Sequence, residues 1–303
     1  MEVVQAWAAS DSMRAEELEE LLCLVESPSP RLETAECALA LGDLGLLNII
    51  SEGLTAAEAH MLDLITARIE GDDEAMSTCI EDALLLVRES ESRDLTLEGR
   101  LRMERGLLKV QAEEFEDALD DLEWALSRLK SLVPQSHLHG LSLINKAAYH
   151  EHQDEAMMAL HLYGEIPLES EFPPEIIAFS RIGAARIHAA HGAFSDAFRH
   201  LWNAHRLFSD AGEFGLAWHA GLEFLRVSHA FADPTAIRMA QQAETAAPRQ
   251  AGETLVVASV HPIDLSLMAQ NLRNQTEITE SIQSEDLEFI DDIIAHCCLI
   301  EEE

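Results

Sequence analysis

Apolar and small residues recur along this chain at spacings of three and four, the period of helices that bury one face. Leu101, Gly106, Leu107 and Val110, followed by Phe115, Ala118, Leu119, Leu122, Ala125, Leu126 and Leu129, trace one stripe on each of two consecutive predicted helices. A single spacing then returns at intervals: Met76, Ile80, Ala83; Ala118, Leu122, Ala125; Ala156, Leu160, Tyr163; Ala197, Leu201, Ala204; and Ala236, Ala240, Ala243. These sets start 42, 38, 41 and 39 residues apart. A period near 40 predicts an array of helical hairpins, each burying its apolar face only against its neighbours.

Turn signals fit the hairpins. The acidic run Glu113, Glu114, Glu116, Asp117 marks a turn and the first residues of a returning helix, where carboxylates meet the positive end of the helix dipole. Gly192 supplies a second turn, with Gly183, Ala184 and Ala185 before it and Phe194, Ala197, Phe198, Leu201 and Ala204 after it. Prolines punctuate the rest: Pro28 and Pro30 separate a helix over about Met13 to Glu26 from one starting near Arg31, and Pro134, Pro167, Pro173, Pro174, Pro234 and Pro248 fall between or at the starts of later helices. The organisation expected is an irregular helical unit over 1–54, about five hairpins over 55–246, and C-terminal capping helices over 247–303. Leu255 to Val260 reads equally as helix or short extended run, and Leu287, Ile290, Ile293, Ile294 and Cys297 stripe a final amphipathic helix.

The small residue within the first helix, the glycine and aromatic at the turn, and the alanine, bulky residue and alanine of the returning helix resemble the tetratricopeptide repeat. Gly183, Gly192, Phe194, Ala197, Leu201 and Ala204 carry the resemblance most fully, and Gly106, Phe115, Ala118, Leu122 and Ala125 repeat it. It covers about residues 55 to 246 and departs from the family in its longer period and in a third unit with Glu151 and Gln153 where the turn glycine and aromatic belong. The resemblance implies an all-α, right-handed α-solenoid of antiparallel hairpins. It implies as well that first helices face a concave groove, which places Arg68, Arg100, Met103, Gln111, Asn145, Tyr149, Phe179, Arg186, Trp218 and His229 there as candidate partner-binding residues. The second-helix acids Glu114, Asp117, Asp121, Glu123 and Asp196 would face outward.

Charge narrows the partners. The formal net charge of the 303 residues is −36, from 56 acidic and 20 basic side chains, of which only Lys109, Lys130 and Lys146 are lysines. Such a field disfavours phosphate backbones and anionic lipid surfaces, so neither a nucleic acid nor a membrane is expected as partner. It favours a basic protein docking on outer surfaces, whereas the groove arginines and aromatics suit an extended peptide or acidic group. No apolar run approaches the ~20 residues that cross a bilayer, and Met1 to Ser12 has no signal-peptide character, so the cytoplasm is the expected location. Cys23, Cys37, Cys79, Cys297 and Cys298 show no metal-type spacing and are expected as reduced thiols.

Candidate chemistry is sparse. The chain contains no phosphate-cradling glycine loop, nucleophile elbow or HExxH pair. Of its 14 histidines, most lie between His137 and His229, including His137 with His139, His150 with His152, His188 with His191 and His200 with His205. His188 and His191, three apart on a predicted helix, could share a face as metal ligands do, and rings near carboxylates such as Glu151, Asp154 and Glu155 suit a pH-responsive cluster. The expectation is no catalytic residue, no metal and no cofactor: a non-catalytic adaptor or regulatory protein that holds a partner protein or peptide, the alternative being a sensor of a peptide or small ligand that regulates an effector, with a metal-binding protein as the third reading. The oligomeric state is open.

Overall fold

The computed structural model describes residues 29–230, 262–275 and 282–301. Among these residues it contains thirteen helices and no strand. The chain divides into two compact units, one up to Pro134 and the other from Gln135 onward.

In the first unit, α1 (Pro30–Leu41) and α2 (Leu44–Ser51) lead into α3 (Ala56–Glu70), α4 (Asp73–Glu89), α5 (Leu95–Gln111) and α6 (Phe115–Leu132). Helix α1 packs on α2 and on α3, and from α3 to α6 each helix packs on the next. Local chemistry sets their starts. Thr55 and Glu58 form a reciprocal capping box before α3, and Asp72 and Asp94 accept amide hydrogen bonds at the heads of α4 and α5. Met61, Leu64, Met76, Ile80, Ala83, Leu84, Leu97 and Leu101 form one core cluster, so the first recurring triplet lies inward as its period requires.

The second unit comprises α7 (His137–His152), α8 (Ala156–Gly164), α9 (Pro174–Ala190), α10 (Phe194–Asp210), α11 (Phe214–Ala230), α12 (Pro262–Asn274) and α13 (Ser284–Glu301). Neighbours again pair, with α12 packed on both α11 and α13. Ala197 and Leu201 join Trp218, Leu222, Leu225, Leu272 and Ile290 in one core, and Ala204 joins Phe208 and Ala220 in another. In the final helix Ile290 and Ile293 are buried as the stripe predicts.

Two details differ from the sequence pattern. Helix α8 is only 9 residues long and buries Ala159, Leu162 and Tyr163, leaving Ala156 and Leu160 half-buried: so short a helix is held by its C-terminal half. The third turn, which lacks glycine, is made by Asp154 at φ 60°, as the turn before α6 is made by Glu113 at φ 61°. Asp is among the residues that tolerate this left-handed region best, whereas Glu113 adopts it without that advantage. The candidate helix over Met13 to Glu26, the run Leu255 to Val260, the fifth triplet from Ala236 and the boundary near residue 247 lie outside the described residues.

Candidate functional site

The densest polar chemistry lies along α5. Its apolar face must reach α4 and α6, so residues three and four apart share its remaining face, and Glu98, Arg102, Arg105 and Lys109 follow that spacing. Opposite them on α6 stands Asp121, 2% exposed within the stripe Ala118, Leu122, Ala125. Arg105 donates to its two carboxylate oxygens through Nε at 2.8 Å and Nη2 at 2.7 Å, Lys109 donates through Nζ at 3.0 Å, and Arg102 approaches at 3.4 Å. Burial acts to raise the Asp121 pKa, but the hydrogen bonds and charges of Arg105 and Lys109 outweigh it and hold the carboxyl below its ordinary value. Those bonds also raise the Arg105 guanidinium.

Glu98, fully buried, is the second such node. It accepts from Arg93 at 2.6 and 2.7 Å and from Arg102 at 3.2 Å, with Arg88 at 3.6 Å; burial acts to raise its pKa, but the Arg93 and Arg102 contacts outweigh it and lower the value. Arg102 therefore ties both nodes together, and it lies 4.2 Å from the centroid of the Trp124 ring. Beside Arg105 and Lys109 an open cleft of about 440 Å³ runs between the N-terminal half of α4, the C-terminal half of α5 and the turn into α6. This cluster corrects the outward placement of Asp121: three neighbouring cations make a buried carboxylate affordable. The trace it leaves in the sequence is an acid inside an apolar stripe on one helix facing cations at helical spacing on the preceding one.

The expected groove residues come apart. Arg68 pairs with Glu104, Arg100 with Glu36 at 2.8 Å and Arg186 with Glu151 at 3.5 Å, so each arginine already meets a carboxylate of the chain itself. Asn145 is half-buried, Met103 is core, and Gln111 lines the cleft. Trp218 is corrected from groove anchor to core: it is 1% exposed, and its indole Nε1 donates to the Leu272 carbonyl at 2.9 Å, an element the repeat pattern did not place against it. Tyr149 is likewise buried, edge-on to His150. Phe179, 37% exposed, meets the buried Phe208 in a T-shaped contact with ring centroids 5.2 Å apart. The side chain of His229 lies outside the described residues. Glu114, Asp117 and Glu123 are exposed as expected.

Among the described residues no group of three metal-ligating side chains converges. His188 stacks on His200 with ring centroids 5.3 Å apart and planes within 8°. Carboxylates do not dominate around them. Burial, with Arg181, Arg199 and His188, pushes His200 down to about 3, and burial also lowers His188 and His205. His150 Nδ1 lies 2.6 Å from Glu155.

No known protein family and no curated protein matches the chain. Among solved structures it is similar to the crystal structure of BtubC (BKLC) from P. vanneervenii, with a TM-score of 0.35 and 14% identity across 96% of this chain and 92% of that one. A likeness at that TM-score carries no inference about the present protein. No helix among the described residues is long and apolar enough to cross a membrane.

Proposed function

We propose that this protein is a non-catalytic scaffold that holds a partner protein or peptide on stacked, tetratricopeptide-like hairpins forming a right-handed α-solenoid, acting in the cytoplasm as an adaptor or regulatory subunit. The observation supporting this most is the pairwise packing of successive helices with glycine at the points of closest approach. A Cβ at Gly106 would lie 2.9 Å from Leu122 Cγ, and one at Gly183 would overlap the Tyr163 ring. Repeated close-packed pairs of this kind build extended surfaces rather than enclosed reaction chambers. Partly exposed apolar side chains, Phe179 at 37%, Met158 at 50% and Met157 at 78%, offer contacts of the kind interfaces use. Affinity capture with the full chain, read by mass spectrometry, is expected to recover one protein in stoichiometric amount. Purification as a partner-free species from its native source under a range of conditions overturns the reading.

The open cleft of the first unit supports a second reading, a sensor of a peptide or small ligand. A thermal-shift screen separates the two, since a ligand at 100 times its dissociation constant stabilises by ~2.7 kcal/mol.

A further inference from the structure

The charges of the cleft in the first unit are not evenly spoken for. Arg105 and Lys109 on its floor are offset by Asp121, which accepts from both, and by Glu81, which accepts from Arg105 at 3.0 Å. That leaves two carboxylates on the rim. Asp73 in the first turn of α4 and Glu114 just before α6 are both exposed, and neither meets a cation among the described residues. Each sits at the positive end of a helix dipole, where a negative charge is well placed. Ile80, Leu108 and Ala112 supply the apolar part of the lining, beside the uncharged polar side chains of Ser77 and Gln111. The arginines first expected to receive an acidic group are, by contrast, already paired within the chain, so an incoming anion would have to displace Glu104, Glu36 or Glu151.

We propose that this cleft binds a lysine or arginine side chain of a basic partner segment, its aliphatic stem against Ile80, Leu108 and Ala112 and its cationic head between Asp73 and Glu114. A long cationic side chain matches the lining because its stem is apolar while its head stays near water. The surrounding negative field accelerates the approach of such a segment and repels the acidic alternative. The inference rests on the scaffold reading and names the chemistry of the partner.

The test is fluorescence anisotropy on the full chain with two labelled probes, a short peptide alternating arginine with leucine and its counterpart alternating glutamate with leucine. The arginine peptide is expected to bind. Asp73→Asn combined with Glu114→Gln should weaken it five- to tenfold, about the effect of two partly exposed ion pairs. Glu52→Gln combined with Glu70→Gln removes the same charge from exposed positions outside the cleft and should change binding by no more than about twofold. Equal losses from both double variants would mean that only the general field acts, and would overturn the proposal. Failure of the arginine peptide to bind, or tighter binding of the glutamate peptide, overturns it as well. A stoichiometric captured partner whose binding ignores the Asp73 and Glu114 substitutions overturns the cleft and leaves the scaffold intact, whereas failure to capture any partner counts against the scaffold.

Discussion

Arg105 and Asp121 meet through two parallel hydrogen bonds of 2.8 and 2.7 Å, joining α5 to α6 across the interior of the first unit. The geometry is the fork-to-carboxylate pairing that guanidinium makes best, and Lys109 and Arg102 complete the shell. A carboxylate so buried is tolerable only with these cations in place, and the cations, 18 to 23% exposed, are partly withdrawn from water themselves.

Asp121→Asn is accordingly expected to destabilise the first unit by about 2–4 kcal/mol, since it leaves partly buried cations uncompensated. Asp117→Asn, on the exposed face of the same helix, should stay within about 0.5 kcal/mol. Urea denaturation followed by circular dichroism compares the two. A small effect at Asp121 would show that water reaches the cluster and screens it.

The same two nodes set an acid limit. Asp121 and Glu98 have pKa values lowered by folding, so the stability they contribute is present above the ordinary carboxylate range, ~4, and is lost as pH falls through their folded values. Unfolding of the first unit should therefore steepen below pH ~4, and Glu98→Gln should flatten that limb. An unchanged profile in the variant would remove Glu98 from the account.

Histidine gives the second unit a different profile. His200 is a base whose folded pKa is depressed to about 3, so its neutral form is favoured by folding, and the associated stability falls as pH drops from ~6.5 towards that value. The His200 share of the loss between pH 7 and 5 should be about 1–2 kcal/mol, and His200→Gln should remove that share and leave what His188 and His205 contribute. Denaturation midpoints at the two pH values supply the check. Equal slopes in wild type and variant would assign the pH response to other groups.

Gly183→Ala should destabilise the second unit by about 1–3 kcal/mol despite the better helix propensity of alanine. The added methyl overlaps the Tyr163 ring, which cannot swing aside without breaking its hydrogen bond to Glu151. Gly164→Ala, where a Cβ meets nothing, is the control and should be neutral or stabilising. Thermal melts of both decide.

Trp218→Ala should cost about 3–5 kcal/mol and register as a folding defect rather than an interface defect, because the ring fills the core and not a groove. Phe179→Ser is the suitable interface probe: it removes a half-exposed ring and should lower partner capture with less than about 1 kcal/mol of stability lost. Capture indifferent to Phe179→Ser would move the interface away from this ring.

Periodicity alone determined the helices, their pairing and most of the core, because burial of one face per 3.6 residues is a local constraint visible in any stretch of chain. Met76, Ile80, Ala83, Ala118, Leu122, Ala125, Ala197, Leu201 and Ala204 are all buried as their spacing requires. Gly192 turns at φ 75°, and Pro30 and Pro174 open helices. Side-chain partners across helices were not legible in the same way. Asp121 read as another exposed acid because what buries it is a set of cations on a different helix, and its distances to them depend on packing and not on sequence spacing. Trp218 read as a groove residue because the carbonyl that receives its N–H lies 54 residues further on, in a helix outside the repeat. The histidines read as near-neutral titrating groups, yet tertiary burial and the nearby Arg181 and Arg199 push His200 far down. Sequence fixes which faces are apolar; only the packed structure decides which polar groups those faces enclose, since the cost of burying a charge depends on partners brought together from distant parts of the chain.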